Sequence, residues 1–123
     1  MHAIAAVALA VFLVVTGIMH FLAPHYFRTL VPAWLPGDRL LVAVSGAAEI
    51  VVGALVLVPY SRSAGGWIAA ALIACYLVSH ADALRRARPD RPRPLERPTG
   101  AVARLAVNAL YIGWAVAVAG SAA

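Results

Sequence analysis

Residues 40–58 have the sequence LLVAVSGAAEIVVGALVLV, an apolar run with one carboxylate, Glu49, near its centre. As a helix this run rises roughly 28 Å at about 1.5 Å per residue, close to the roughly 30 Å hydrocarbon core of a bilayer. An unpaired charge at that depth costs at least about 2.5 kcal/mol, so Glu49 must be neutralised, paired or hydrated. The run therefore predicts a membrane-spanning helix whose carboxyl group needs partners elsewhere in the chain.

The composition extends this prediction to a single integral membrane domain over residues 1–123. Of the 123 residues, 63% are hydrophobic and 12% are charged, whereas soluble chains average about 45–50% apolar and about 25% charged residues. The formal charge of +5 could suggest nucleic acid as a partner. Most of the Arg residues, however, share one loop beside an apolar segment, which is the orientation signal of a membrane protein, so no nucleic-acid partner is expected.

Four apolar runs predict an all-α fold, an antiparallel bundle of four transmembrane helices. The predicted spans are residues 3–22, 40–58, 65–83 and 101–120. Residues 23–39 carry aromatic residues and prolines, of which Pro24 can open a short helix and Pro32 should stop it. This segment is therefore predicted as a short helix at the membrane interface. Residues 84–100 are rich in Arg and Pro and are predicted as a solvated, mostly extended loop.

The distribution of Arg predicts the orientation of the chain. The segments 23–39 and 84–100 carry most of the Arg residues, whereas the connection between the second and third spans carries only Arg62. By the positive-inside rule both Arg-bearing segments lie in the cytoplasm and both termini lie outside. Because all the basic residues are Arg and Ala is abundant, we expect a bacterial source and a multi-pass protein of the cytoplasmic membrane.

Polar side chains from all four spans fall in the cytoplasmic half of the predicted bundle. If the spans face one another, these side chains line a polar funnel that reaches mid-membrane, where ionisable groups mark proton paths, ligand pockets or buried pairs. Glu49 and His20 are the candidate catalytic residues, because a buried carboxyl group without a cation could act as a general acid, and a His beside it could keep it ionised. The candidate ligand-binding residues are His80, Asn108, Arg104, Tyr76, Tyr111 and Ser45.

A structural role is an alternative for the same residues. His20, His80, Asp82 and Arg104 lie within about a turn of the interface, so their side chains could simply reach lipid headgroups. Asn108 could form a hydrogen bond between helices, which would contribute about 0.6–2 kcal/mol to stability and imply no catalytic role. Glu49 could likewise bond to Asn108 or Arg104 only to hold the helices together. No metal is expected, because His20, His80 and Glu49 have no diagnostic ligand spacing, and the single cysteine excludes an internal disulfide.

Two motifs carry a family resemblance. G-x-x-H-F opens the run GIMHFLAPHYFRTLVPAWLP at residues 17–36, and S-G-x-x-E-x-x-x-G lies in SGAAEIVVGALVLVP at residues 45–59. With the Arg-bearing turn and third apolar span that follow, these segments resemble the DoxX-like family of small four-helix bacterial membrane proteins. On this resemblance the family positions are Gly17, His20, Phe21, Pro24, Pro32, Gly46, Glu49 and Gly53.

The resemblance implies a redox context. Members of the DoxX-like family form a thiosulfate:quinone oxidoreductase, others associate with enzymes of oxidative stress and thiol metabolism, and a distant animal relative is a receptor-assembly chaperone. We therefore expect an accessory subunit that binds a lipophilic molecule, with a quinone favoured, for a peripheral redox protein. Whether the chain is itself an enzyme stays open.

Two other functions fit the same residues. One is an interaction or assembly protein that docks an acidic partner or anionic lipid through the Arg-rich loop. The other is an enzyme that performs acid–base chemistry on a lipophilic substrate, with Glu49 as the proton donor. Stripes of small residues on the spans would permit a homodimer. The candidate residues for partner or lipid binding are Arg85, Arg86, Arg88, Arg91, Arg93 and Arg97.

Overall fold

The computed structural model describes residues 2–122, and over that range the chain is helical without a strand, which confirms the predicted all-α class. Single 3-10 turns occur at Pro59–Ser61 and Pro94–Glu96. The five α-helices are α1 His2–Leu22, α2 Pro24–Leu30, α3 Asp38–Leu57, α4 Arg62–Arg86 and α5 Pro98–Ala122.

Four of these helices, α1, α3, α4 and α5, are long and apolar enough to cross a membrane, as predicted. Their buried faces are built mainly from small residues, and the largest fully buried side chains are Leu9, Leu13 and Val56. Many large apolar side chains point outward instead, which is unusual for a protein surrounded by water. The core therefore lies in narrow seams between helices, and the outer surface is apolar.

The helices on either side of the Arg-rich loop are longer than predicted. α4 continues to Arg86 and α5 begins at Pro98, so the connection covers residues 87–97 rather than 84–100. α4 continues because Arg85 and Arg86 both bond to Asp82 one turn earlier. Pro98 suits the first position of a helix, where its missing N–H is not needed. The prediction of an extended loop is thus wrong at both ends, and the 3-10 turn interrupts what remains.

The segment between α1 and α3 folds as its prolines predict. α2 begins at Pro24 and ends at Leu30, two residues before Pro32. The chain then turns into α3 through Gly37, whose φ of 74° lies in the left-handed region that favours glycine. Arg28 Nε donates to Asp38 Oδ2 over 3.1 Å and joins the short helix to the start of α3.

Glycines bring α1 and α3 into close contact. A Cβ atom at Gly17 would lie 2.7 Å from the carbonyl oxygen of Gly46, and one at Gly46 would lie 2.6 Å from Cβ of His20. Further along the same seam, a Cβ atom at Gly53 would lie 2.7 Å from Val14. Both backbones can approach this closely only because the side chains are missing, and the approach sets His20 beside Glu49.

Small residues and backbone-directed hydrogen bonds also join the other helices. Gly66 of α4 packs on Ala119 of α5, and Ser63 Oγ donates to the carbonyl oxygen of Ala119 over 3.0 Å. Trp114 Nε1 donates to the carbonyl oxygen of Ala5 over 3.0 Å, which joins α5 to α1. The four long helices therefore form one bundle, with α2 packed at one end.

Candidate functional site

A buried imidazole–carboxyl pair lies on the seam between α1 and α3. His20 Nδ1 is 3.1 Å from Glu49 Oε2, and the two residues are 7% and 5% exposed. Thr16, one turn before His20, approaches the other carboxyl oxygen, with Oγ1 3.4 Å from Oε1. The two candidate catalytic residues chosen from the sequence are therefore in contact.

The position of the imidazole proton follows from the backbone of α1. His20 Nδ1 lies 2.6 Å from the carbonyl oxygen of Thr16, which can only accept a hydrogen bond. Nδ1 therefore carries a proton and directs it to Thr16 rather than to Glu49. Phe27 of α2 stacks on the imidazole, with ring centroids 3.8 Å apart and an angle of 17° between the planes. The short helix thus covers the ring and fixes its orientation.

Two buried side-chain oxygen atoms, one of them in this pair, have no hydrogen-bond partner within the described chain. They are Glu49 Oε2 and the hydroxyl oxygen of Tyr76 on α4. The Tyr76 hydroxyl lies near Ser45 and the Glu49 carboxyl group and forms a hydrogen bond with neither. Buried polar atoms are partnered in the great majority of cases, so these two mark a place suited to the polar group of a ligand.

A second polar cluster joins α4 to α5 and to the Arg-rich loop. Arg104 Nε donates to His80 Nδ1 over 3.1 Å, and Arg104 Nη1 donates to the carbonyl oxygen of Leu95 over 3.5 Å. Since Nδ1 of His80 accepts, that imidazole is neutral with its proton on Nε2. Asn108 Nδ2 donates to the carbonyl oxygen of Arg104 over 2.8 Å, and the Asn108 side chain also lies next to His80 of α4.

The predicted funnel is therefore divided. Among the described residues, no hydrogen bond or ion pair joins the cluster of His80 and Arg104 to the pair of His20 and Glu49. The cationic partner available to Glu49 is His20 rather than Arg104, because Arg104 is held by His80 and Leu95. Two predicted ligand residues also have other contacts. Tyr111 packs on Phe12, with ring centroids 4.7 Å apart, and Ser45 Oγ donates to the carbonyl oxygen of Val42.

Asp82 is a buried carboxylate that sequence reasoning assigned to no site. It is 6% exposed and accepts bonds of 2.8 Å from Arg85 Nη2 and from Arg86 Nε. Trp34, in the connection between α2 and α3, donates from Nε1 to the same carboxylate over 3.1 Å. The spacing of three and four residues to the two Arg was visible in the sequence, but the contact with Trp34 was not.

The six Arg predicted to bind a partner or lipid have different environments. Arg85 and Arg86 bond to Asp82, and Arg97 Nε donates to the carbonyl oxygen of Arg91 over 2.9 Å. These three side chains therefore hold the helix end and the loop in place. The other three are exposed and form no ion pair within the described chain: Arg88, Arg91 and Arg93.

Fold and site together define a small helical protein with four helices of membrane-spanning length and a buried imidazole–carboxyl pair between α1 and α3. The chain belongs to the family described as Domain of unknown function (DUF8561), whose family model matches residues 9–119. That range includes all five helices at least in part, and both polar clusters. No curated protein and no solved structure matches the chain. The resemblance to DoxX-like proteins stays a prediction.

Proposed function

We propose that this protein binds the polar group of a lipophilic molecule at the His20–Glu49 pair, with a quinone as the favoured class, and acts as an accessory subunit for a peripheral redox partner. The observation that carries the proposal is the pair of buried oxygens without partners, Glu49 Oε2 and the Tyr76 hydroxyl. A quinone carbonyl accepts a hydrogen bond and a quinol hydroxyl donates one, so the two forms suit a site that holds both a donor and an acceptor.

The proposal includes insertion in the bacterial cytoplasmic membrane with the four long helices antiparallel. The outward apolar surface of these helices supports insertion. The register supports the arrangement, since Gly17 approaches Gly46 whereas Ala10, earlier in α1, approaches Gly53, later in α3. The Arg-bearing end would face the cytoplasm and both termini the outside.

The residues of the site can handle the protons of a quinone reaction. When bound, a quinone would take two electrons from the redox partner and two protons to become a quinol. Tyr76 can donate a hydrogen bond to a carbonyl oxygen, which orients it. Glu49 can hold or release a proton at Oε2, the atom without another partner. His20, whose Nδ1 lies 3.1 Å from Oε2, would stabilise the ionised carboxyl group if its imidazole were protonated.

The test is mass spectrometry of small molecules that remain with the protein after purification in nanodiscs. Wild type is compared with Glu49→Gln and with Asp90→Asn, a matched acid-to-amide change at an exposed loop residue. We expect wild type and Asp90→Asn to retain a quinone and Glu49→Gln to lose at least about tenfold, the equivalent of one good hydrogen bond. Equal retention in all three samples would contradict a site at Glu49.

The same measurement distinguishes an acid–base enzyme from a quinone-binding subunit. A retained lipophile that is not a quinone, and that the purified protein converts chemically, would make Glu49 the general acid of an enzyme. The matching loss of conversion in Glu49→Gln would support that reaction. Retention of bulk lipid alone in every sample would remove both small-molecule functions.

A second candidate function is an assembly protein that docks an acidic cytoplasmic partner. It is favoured by the exposed guanidinium groups of Arg88, Arg91 and Arg93, which form no ion pair within the described chain. Replacing these three residues with Gln should release the partner in a co-purification, while Arg62→Gln at the opposite end should not. A partner that stays bound to the triple variant would contradict this function.

A further inference from the structure

A cavity of about 200 Å³ lies where α2, the end of α4, the start of α5 and the Arg-rich loop meet. Four Arg residues line it, and neither His20 nor Glu49 does, so it is separate from the site proposed above. Apolar side chains, among them Leu30 and Leu95, form another part of the wall. The four Arg residues of the wall are Arg86, Arg91, Arg93 and Arg104.

The charges in this cavity are only partly compensated. Arg86 bonds to Asp82, which also serves Arg85, and Glu96 is the one acidic residue of the wall. Arg104 bonds to a neutral imidazole and a carbonyl oxygen, neither of which neutralises it. Four Arg residues and one carboxylate therefore line the cavity, and Asp82, outside the wall, is shared between Arg85 and Arg86. The excess positive charge favours an anion.

The loop that carries Arg91 and Arg93 is held in shape by its own hydrogen bonds. Arg97 Nε donates to the carbonyl oxygen of Arg91, and the N–H of Arg88 donates to the carbonyl oxygen of Glu96 over 3.3 Å. Arg104 Nη1 reaches the carbonyl oxygen of Leu95 from α5. The loop therefore folds back on itself, and these bonds involve neither the Arg91 nor the Arg93 side chain.

The volume of the cavity and the side chains of its wall indicate which kind of anion it binds. Pockets for drug-sized ligands have volumes of about 300–1,000 Å³, so a cavity of about 200 Å³ suits one polar group rather than a whole large ligand. Guanidinium groups match the oxygens of a phosphate with paired hydrogen bonds. Leu30 and Leu95 in the same wall, at the end of an apolar bundle, fit the first carbons of a lipid better than they fit a free ion.

We propose that this cavity binds the phosphate group of an anionic phospholipid headgroup. Arg91 and Arg93 contact the phosphate from the loop, and Arg104 contacts it from α5. Basic residues next to a bilayer attract anionic lipid by charge alone, so the test must separate a built site from general attraction.

The experiment measures phosphatidylglycerol bound to the full chain in detergent, by native mass spectrometry over a lipid titration. Arg91→Gln and Arg93→Gln are compared with Arg39→Gln, an exposed residue at the same end of the bundle that does not line the cavity. Each variant removes one positive charge. We expect a loss of affinity of roughly fivefold for each loop variant and less than twofold for the control.

Several other results would overturn the proposal. Equal losses in all three variants would show general attraction and overturn the cavity, as would unchanged affinity in both loop variants. Displacement of phosphatidylglycerol by millimolar inorganic phosphate would make free phosphate the ligand and overturn the lipid assignment. Phosphatidylcholine, whose phosphate carries a neighbouring cation, should bind more weakly than phosphatidylglycerol, and equal binding would contradict selection for an anionic headgroup.

Discussion

Two carboxyl groups of the described chain, those of Glu49 and Asp82, are buried to almost the same extent but differ in their hydrogen-bond partners. Glu49 is 5% exposed and Asp82 is 6% exposed. Asp82 accepts hydrogen bonds from two guanidinium groups and an indole N–H. Glu49 has a threonine hydroxyl 3.4 Å from one oxygen and, beside the other, an imidazole whose proton is directed at the backbone.

The difference shows that burial alone does not identify a functional carboxyl group. Both oxygens of Asp82 accept hydrogen bonds, which tie the connection before α3 to the end of α4, so these bonds account for its burial. One oxygen of Glu49 is without a partner, which costs free energy that no fold requirement explains. The residue with the poorer set of partners is therefore the better candidate for a site.

The largest effect on stability is expected at the seam that creates the Glu49 site. In Gly46→Ala the new methyl group would lie 2.6 Å from Cβ of His20, so α1 and α3 must separate at a cost of about 3 kcal/mol. Gly113→Ala is the control, because nothing lies within 4 Å of its added Cβ, and it should stabilise α5 by about 0.5–1 kcal/mol. Reversible unfolding in detergent micelles measures both. Similar unfolding free energies for the two variants would mean that the close approach is not needed.

Removing the charge of Asp82 should have the next largest effect. Asp82→Asn weakens two charge-assisted bonds, but Arg85 is 70% exposed and its interaction is screened, so we expect a loss of about 2 kcal/mol. Asp90→Asn, at an exposed loop position, should change the free energy of unfolding by less than about 0.5 kcal/mol. If Asp82→Asn is no less stable than Asp90→Asn, the structural role assigned to Asp82 is wrong.

The indole contact to Asp82 should contribute a smaller part of the same stability. Trp34→Phe keeps an aromatic ring but removes the N–H donor, and one hydrogen bond of this kind contributes about 1 kcal/mol. Trp67→Phe serves as the comparison, since Trp67 is 52% exposed and donates no hydrogen bond within the described chain. Circular dichroism during heating measures the midpoint temperature of unfolding. This midpoint should fall in Trp34→Phe and stay at the wild-type value in Trp67→Phe.

The smallest effect on stability is expected for Glu49→Gln. The amide keeps the shape of a protonated carboxyl group and the oxygen that Thr16 approaches, so the free energy of unfolding should change by less than about 1 kcal/mol. A buried ion pair broken at one partner would instead cost about 3–5 kcal/mol. The free energy of unfolding of Glu49→Gln in detergent micelles therefore shows whether Glu49, unlike Asp82, contributes little to stability. A loss of that larger size would show a charged His20–Glu49 pair, with a role in stability like that of Asp82.

Much of the fold could be predicted because the signals are local. Apolar runs of spanning length predict the four long helices, and Pro24 and Pro32 bracket the short one. The pairing of His20 with Glu49 was anticipated in part, since both residues lie on faces of small residues that allow helices to approach. The central position of Glu49 in its apolar run is a local signal, and it is enough to indicate a candidate site.

The sequence by itself determined which segments are helical, which of them are long and apolar enough to cross a membrane, and that one carboxyl group lies deep among apolar residues. Hydropathy and proline positions act within a segment, so no knowledge of neighbours is needed. Only the tertiary structure decided that Glu49 lies beside His20 and Arg104 beside His80, and that Trp34 reaches Asp82 across 48 residues. These choices depend on the rotation and register of packed helices, which the close approach at Gly17 and Gly46 sets and which no single segment encodes.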